Sequence, residues 1–116
     1  MNSKAKGSAG EREFAALLTQ RGYPAQRNDQ RFVGGSGLPD VSADGLDGFH
    51  FEVKRVERLN VSEAMKQAET DAAGRVPIVA HRRNRQPWLV TLHLDDFLNV
   101  MEGGQRHENP LEKGCI

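Results

Sequence analysis

Two acidic residues and one lysine in the first half of the chain have the types and the spacing to do chemistry together. Asp40 follows Pro39, and Glu52 and Lys54 lie further on with only Val53 between them. Side chains alternate between the two faces of a strand, so Glu52 and Lys54 point to the same side. Carboxylates beside an ammonium group can hold a cation and stabilise negative charge on a bound group.

The hydrophobic pattern predicts how the two stretches that carry these residues pair. Residues 40–43 and 49–54 read as strands, and residues 44–48 read as the turn between them. This turn gives four antiparallel pairs: Asp40 with Glu52, Val41 with Phe51, Ser42 with His50, and Ala43 with Phe49. A slip by one residue would turn Glu52 towards the apolar face, so the pattern fixes the register.

Opposed carboxylates repel each other unless a cation lies between them. Mg²⁺ accepts one or two carboxylates and keeps positions for water and for phosphate oxygens, so we predict a Mg²⁺ site at Asp40 and Glu52, where Mn²⁺ substitutes. Lys54 would hold an attacking water or steady charge on a phosphate. His50 shares this face but lies nearer the turn. We interpret it as a surface histidine, with contact to metal-bound water as the alternative.

A helix is predicted before these strands. Ser8 and Glu11 have the S-x-x-E spacing of a capping box, which indicates a helix that begins near Ala9. Its buried stripe and its left-handed end are predicted at four positions: Phe14, Leu17, Leu18 and Gly22.

The remaining elements complete an α/β pattern. Residues 25–27 read as a short extended piece, Ser62 as the cap of a second helix that ends at Gly74, residues 76–80 and 88–92 as strands, and residues 95–101 as a short final helix. The second helix has a thin face suited to lie against a sheet: Ala64, Ala68 and Ala72. The predicted fold is a mixed β-sheet flanked by helices, in the order αβββαββ.

Length and composition limit the domain organisation and the classes of protein that the sequence can represent. The 116 residues fit one domain over residues 1–101, with a mobile basic arm at residues 1–7 and a flexible tail at residues 102–116. No apolar run approaches the roughly 20 residues that span a bilayer. Cys115 is the only cysteine, which excludes an internal disulfide and fits the cytoplasm. Net charge is zero, whereas nucleic-acid binders are usually basic.

Two parts of the sequence resemble a known family of nucleases. Pro39-Asp40 with Glu52-Val53-Lys54 resembles the signature of PD-(D/E)xK nucleases, whose fold is restriction-endonuclease-like. The opening Lys6-Gly7-Ser8-Ala9-Gly10-Glu11-Arg12-Glu13-Phe14 is similar to the start of archaeal-type Holliday-junction resolvases and their phage relatives. The Gly-Ser-Gly-Leu-Pro-Asp run is similar to their loop before the catalytic aspartate.

The resemblance implies roles for individual residues. Glu11, Asp40, Glu52 and the Val53 carbonyl would hold the metal, and Lys54 would be the catalytic lysine. Arg12, Arg27 and Ser36 match positions beside the active site that touch DNA, and Gln67 is a candidate supporting residue or an exposed structural glutamine. The family's members are homodimers that nick two strands of a four-way DNA junction.

Two alternatives remain open. At 100° per residue, Glu11 and Glu13 lie on opposite flanks of the predicted stripe, so only one should face the site. Periodicity does not choose between them, whereas the motif favours Glu11, which could instead be only a capping-box acid.

Further basic residues are predicted to contact phosphates: Lys4, Lys6, Arg55, Arg82, Arg83 and Arg85.

The function predicted from these residues and the resemblance is a Mg²⁺-dependent endonuclease that resolves Holliday junctions in DNA recombination or repair, in a cell or an infecting phage. One alternative is a nuclease of this class that acts on a flap, a fork or a restriction-type duplex. The other is a DNA-structure-binding protein without catalysis.

Overall fold

One mixed sheet forms the centre of the fold. The computed structural model describes residues 3–28 and 38–103, with side chains from residue 7 onwards. Along the chain the elements are α1 (Ser3–Gln20), β1 (Ala25–Arg27), β2 (Val41–Ala43), β3 (Phe49–Arg55), α2 (Val61–Asp71), β4 (Val76–Arg82), β5 (Leu89–Thr91) and α3 (Leu94–Met101). The strands lie in the order β1-β2-β3-β4-β5. Only β3 and β4 are parallel, and α2 connects them. The predicted α/β class and the order αβββαββ are confirmed.

The pairing of β2 with β3 has the predicted register. Val41 lies opposite Phe51, as the alternation of apolar side chains requires. Asp40 lies one position before β2, and its backbone N–H donates to the Phe51 carbonyl at 2.9 Å. The acid is therefore held at the end of the strand rather than inside it.

Helices cover both faces of the sheet. The side chains of β3 that point towards α1 join an apolar cluster with Phe14, Ala15 and Val41. On the opposite face, α2 applies its small side chains to Val79, and Ala64, Ala68 and Ala72 are buried as predicted. Because α2 covers this face, the polar side chains of His50 and Glu52 on β3 are removed from solvent.

His50 is the clearest case of this effect. Its exposed fraction is 0%, and that of Glu52 is 5%. The prediction of a surface histidine is wrong, because α2 lies over the face of β3 that was expected to meet water.

Helix α1 begins at Ser3, so the expected start near Ala9 is wrong, and the helix includes most of the predicted basic arm at residues 1–7. Ser8 and Glu11 do not cap the helix, because they lie inside it; both accept hydrogen bonds from Arg27, at 3.3 Å and 3.0 Å respectively. Leu17 was placed in the buried stripe but is 39% exposed, and Ala15 is buried instead.

The ends of the helices follow the sequence more closely. Gly22 ends α1 with a φ of 99°, and Gly74 follows α2 with a φ of 88°, both in the left-handed region that favours glycine. Asn60 caps α2 by accepting from the Glu63 N–H at 3.1 Å, so the prediction of Ser62 as the cap is wrong. Within the described ranges, no helix has both the length and the apolar character needed to cross a membrane.

Candidate active site

Three acids from three parts of the fold line one cleft with a lysine. Glu11 comes from α1, Asp40 from the residue before β2, and Glu52 and Lys54 from β3. The cleft has a volume of about 340 Å³, and Gln67 of α2 lies on its rim. We call it the carboxylate cleft. The sequence predicted that Asp40, Glu52 and Lys54 would meet, because the register of β2 and β3 follows from the hydrophobic alternation.

Asp40 is the most electrostatically perturbed member of the carboxylate cleft. Burial, together with the negative charges of Glu52 and Glu11, raises the pKa of its carboxyl group to about 7. The backbone N–H of Val53 donates to Asp40 Oδ2 at 2.8 Å, and this bond and the charge of Lys54 oppose the rise. A cation in the cleft would favour the ionised form of Asp40.

Lys54 is held between β3 and α2. Its Nζ atom lies 3.9 Å from Glu52 Oε2 and donates a hydrogen bond to Gln67 Oε1 at 3.3 Å. Gln67 therefore orients the ammonium group towards the carboxylates. A supporting role for Gln67 stays a prediction, and its amide oxygen is engaged with the lysine.

The two glutamates of α1 point to different places. The buried face of the helix is centred on Phe14, Ala15 and Leu18 rather than on Leu17. This rotation turns Glu11 towards the carboxylate cleft, where its Oε1 pairs with Arg27 Nε at 3.0 Å.

Glu13 instead joins α1 to the sheet. Its carboxylate lies 3.0 Å from Arg82 Nε and 3.6 Å from Arg55 Nε, and it accepts from Trp88 Nε1 at 3.0 Å. Burial raises the pKa of the Glu13 carboxyl, but the hydrogen bonds from Arg82 and Trp88 and the two guanidinium charges outweigh it, so the pKa is lowered. Sequence reasoning did not find this cluster, because its members are far apart in the chain.

The residues predicted to contact DNA divide into groups. Arg55 and Arg82 are turned inward to Glu13, with side chains 23% and 15% exposed, and their phosphate contact stays a prediction. Arg12, Arg83 and Arg85 are exposed, and Arg27 lies at the rim of the cleft on Glu11. Ser36 and the side chains of Lys4 and Lys6 lie outside the described residues.

A second group of polar side chains lies behind Glu52. His50, Glu52 and Asp71 each offer one ligand atom, and these three atoms lie within 4.8 Å of one another. We call this group the buried triad. Asp71 is the last residue of α2, and sequence reasoning did not find it because its approach to β3 depends on how α2 packs on the sheet.

The carboxylate cleft suits a hard divalent cation. Its donors are carboxylate oxygens, which Mg²⁺ and Mn²⁺ prefer, and their mutual repulsion at Asp40 is the kind that such an ion relieves. Glu11, Asp40 and Glu52 would supply the oxygens. Val53 lines the cleft, and its carbonyl remains a predicted ligand.

A mixed sheet between two helices, with the Pro-Asp and Glu-Val-Lys elements meeting at a cleft, is the arrangement of the PD-(D/E)xK class. A solved structure confirms this fold and the relationship to archaeal-type resolvases. It is that of Hjc, a Holliday junction resolvase from the archaeal hyperthermophile Archaeoglobus fulgidus, with a TM-score of 0.57 and 26% identity over 74% of this chain and 76% of that chain. No protein-family model matches the sequence. No curated protein matches it either.

Proposed function

We propose that this protein is a Mg²⁺-dependent endonuclease that nicks four-way DNA junctions. The observation that carries the proposal is the meeting of Asp40, Glu52 and Lys54 in one cleft, with Glu11 at its edge. The similarity to an archaeal Holliday junction resolvase supports the choice of substrate. The single cysteine fits work in the cytoplasm.

The residues of the carboxylate cleft divide the work of phosphodiester hydrolysis. A Mg²⁺ ion bound by Glu11, Asp40 and Glu52 would supply Lewis acidity and make hydroxide accessible near neutral pH. Lys54, steadied by Gln67, would hold the attacking water or stabilise charge on the scissile phosphate. Val53 would keep the Asp40 carboxylate aimed into the cleft through its backbone N–H.

DNA would be held outside the cleft by the exposed arginines Arg12, Arg83 and Arg85, with Lys4, Lys6 and Ser36 as further contacts. The guanidinium group of Arg27, which now donates to Glu11, would bind a DNA phosphate, either in place of Glu11 or together with it. The zero net charge of the chain suits binding in which a bound divalent cation offsets the acids of the cleft.

A second copy of the chain is part of the proposal. A four-way junction is resolved by two symmetric cuts, and one chain offers one carboxylate cleft. Exposed apolar side chains on β5 and α3, among them Leu89, Val90 and Leu94, supply a surface on which two copies could pair.

A nicking assay on a mobile four-way junction, with and without Mg²⁺, tests the proposal. We expect paired nicks near the junction centre in Mg²⁺ or Mn²⁺ and none in EDTA. Asp40→Asn or Glu52→Gln should reduce cleavage by at least about a hundredfold while junction binding survives. Asp47→Asn, an exposed acid-to-amide change in the turn before β3, is the matched control and should cleave normally.

Competition with other DNA structures separates the alternatives. Preferred cleavage of a flap, a fork or a linear duplex would keep the chemistry and change the substrate. Tight junction binding without cleavage in either metal would indicate a binding protein, and cleavage retained by the Asp40→Asn, Glu52→Gln double variant would remove the proposed site altogether.

A further inference from the structure

The side chain of His50 has no partner that accounts for its burial. It is fully enclosed between β3 and α2, and neither ring nitrogen makes a hydrogen bond with any residue in the described part of the chain. Burying a polar group without a hydrogen bond is costly, so a buried imidazole normally has one. Both ring nitrogens of His50 are therefore buried without a hydrogen-bond partner among the described residues, and a bound ligand would remove this cost.

The atoms nearest to this imidazole are ligand atoms. His50 Nε2 lies 3.6 Å from Glu52 Oε1, and a carboxylate oxygen of Asp71 completes a group within 4.8 Å. The distance of 3.6 Å is too long for a hydrogen bond. Small adjustments of the three side chains would bring all three atoms to one ion.

Electrostatics favours a cation at this place. Asp71 is the last residue of α2, where the helix dipole already carries partial negative charge, and a second carboxylate approaches it from β3. The carboxylates of Glu52 and Asp71 and the C-terminal end of α2 repel one another, and a cation bound between them would relieve this repulsion.

Glu52 can serve two sites because its oxygens point in different directions. Oε2 lies towards Lys54 in the carboxylate cleft, whereas Oε1 lies towards His50. His50 and Asp71 do not line the cleft. The carboxylate of Glu52 thus forms the wall between the cleft and the buried triad.

From this geometry we infer that His50, Glu52 and Asp71 form a second metal site, which takes a first-row transition metal rather than Mg²⁺. Imidazole nitrogen suits later first-row ions such as Co²⁺ and Zn²⁺, whereas Mg²⁺ prefers oxygen ligands throughout. The ion would fix the Glu52 carboxylate from behind. This site concerns metal binding alone and does not require that the chain cleaves DNA.

Titration of the full chain with Co²⁺ in excess Mg²⁺ tests the inference, with visible absorption as the readout. The excess Mg²⁺ is added to occupy the carboxylate cleft, and we expect one equivalent of Co²⁺ to bind with a nitrogen-containing coordination spectrum. Asp71→Asn should weaken Co²⁺ binding by at least about tenfold. Because Asp71 lies at a helix end, this variant is less disruptive than a change at the enclosed His50.

Three control variants give the test its resolution. Glu63→Gln removes an exposed acid at the other end of α2, and His93→Gln removes the exposed His93–Glu69 pair as a competing ligand set. Asp40→Asn alters the carboxylate cleft alone. All three should bind Co²⁺ as the unmodified chain does.

Paramagnetic broadening of the His50 ring signals by Co²⁺ provides a measurement on the unmodified protein. Equal Co²⁺ affinity in Asp71→Asn, or loss of Co²⁺ binding in Asp40→Asn but not in Asp71→Asn, would overturn the inference. So would His50 signals that stay unbroadened at saturating Co²⁺, because the ring would then not be a ligand. Either result leaves the nicking assay to decide the proposed function separately.

Discussion

At the scale of the residue, Asp40 carries the main electrostatic cost of the site. It lies close to two other acids and has lost much of its hydration, and the pKa of its carboxyl group is raised to about 7. The sequence predicted the neighbour Glu52 from strand register. It did not predict the size of the burial, because that depends on how α1 and the region around Asp40 close over the cleft.

The raised pKa of Asp40 predicts how stability depends on pH. Between the unfolded pKa, near 3.8, and the folded value of about 7, the folded state binds more protons than the unfolded state, so stability falls as pH rises. The penalty is absent below about pH 4 and complete above about pH 7, with a ceiling of about 4 kcal/mol at roughly 1.36 kcal/mol per pKa unit. Urea unfolding in EDTA at pH 5.5 and pH 8 measures it.

Asp40→Asn and Mg²⁺ are the two controls for this dependence. The amide has no charge to bury, so the variant should be more stable than the unmodified chain at pH 8 and differ less at pH 5.5. Mg²⁺ should stabilise the unmodified chain more at pH 8 than at pH 5.5. A metal-free stability that rises over this range for the unmodified chain alone would contradict the assignment.

The histidine at position 50 shows where residue patterns stop being informative. Alternation along β3 places His50 and Glu52 on one face, and this is what the structure has. Whether that face meets water depends on α2, whose small residues Ala64 and Ala68 allow the helix to lie close. The prediction that the small side chains of α2 pack on the sheet is confirmed. The burial of His50 that results from it depends on where the helix lies on the sheet, which the residue pattern does not show.

At the scale of the element, α1 presents two neighbouring glutamates with different tasks. Glu11 faces the carboxylate cleft, and Glu13 connects the helix to β3, to β4 and to the residue before β5 through Arg55, Arg82 and Trp88. Periodicity indicated that only one could face the cleft. The choice depends on the helix rotation, which the position of Leu17 in solvent reveals.

This division predicts that the same chemical change, glutamate to glutamine, affects stability at one position and cleavage at the other. Glu13→Gln should destabilise the protein by about 1–3 kcal/mol, because it leaves two partly buried guanidinium groups without their counter-charge. Glu11→Gln should change stability by less than about 1 kcal/mol, since its ion pair with Arg27 is partly exposed, and should instead lower cleavage. Urea unfolding and the nicking assay, run on both variants, measure the two effects.

The pH dependence of the Glu13 effect provides a further check. Because the folded-state pKa of Glu13 is lowered, its stabilisation is present above the unfolded pKa, near 4.5, and is lost as pH falls through the folded value. The difference between Glu13→Gln and the unmodified chain should therefore shrink in acid. A difference that stays constant from pH 7 to pH 3 would indicate a packing defect instead.

The contact of α1 with β3 depends on Gly10, to which the sequence pattern assigned no packing role. A Cβ atom at Gly10 would lie 2.9 Å from Arg55 Cβ, too close for either backbone to remain in place. Gly10→Ala should destabilise the protein by about 1–3 kcal/mol despite the better helix propensity of alanine. The shift of α1 should also move Glu11 and lower the affinity of the carboxylate cleft for Mg²⁺.

Gly7 is the matched position for this test. It lies in the same helix, and a Cβ there would meet nothing within 4 Å. Gly7→Ala should stabilise the protein by up to about 1 kcal/mol through helix propensity alone. Equal effects of the two substitutions in urea unfolding would show that the close approach at Gly10 has no energetic weight.

At the scale of the whole molecule, the distribution of apolar side chains matters more than their number. The described part of α3 buries none of its residues, although the sequence of the helix is amphipathic. Beside it, Leu89 and Val90 on the edge strand β5 are each 56% exposed. The sequence predicted these elements, but exposure of their apolar faces follows only once the fold shows that no other described element covers them.

The proposed pairing of two copies through the exposed apolar face of α3 makes a prediction about the assembly state. Phe97→Glu with Leu98→Glu should convert a dimer of twice 12.9 kDa into a monomer of that mass, measured by light scattering after size exclusion. A charge placed against an apolar partner surface without a counter-ion should weaken association by at least roughly a hundredfold. Leu17→Glu, at an exposed position of α1, is the control and should remain dimeric.

The same variant links assembly to cutting. A monomer keeps its carboxylate cleft, so it should still nick a junction, but the two nicks should become independent rather than paired. Dimers that persist in the Phe97→Glu, Leu98→Glu variant would place the contact elsewhere. A chain that is monomeric before any substitution, yet still makes paired nicks, would mean that the junction itself brings the two copies together.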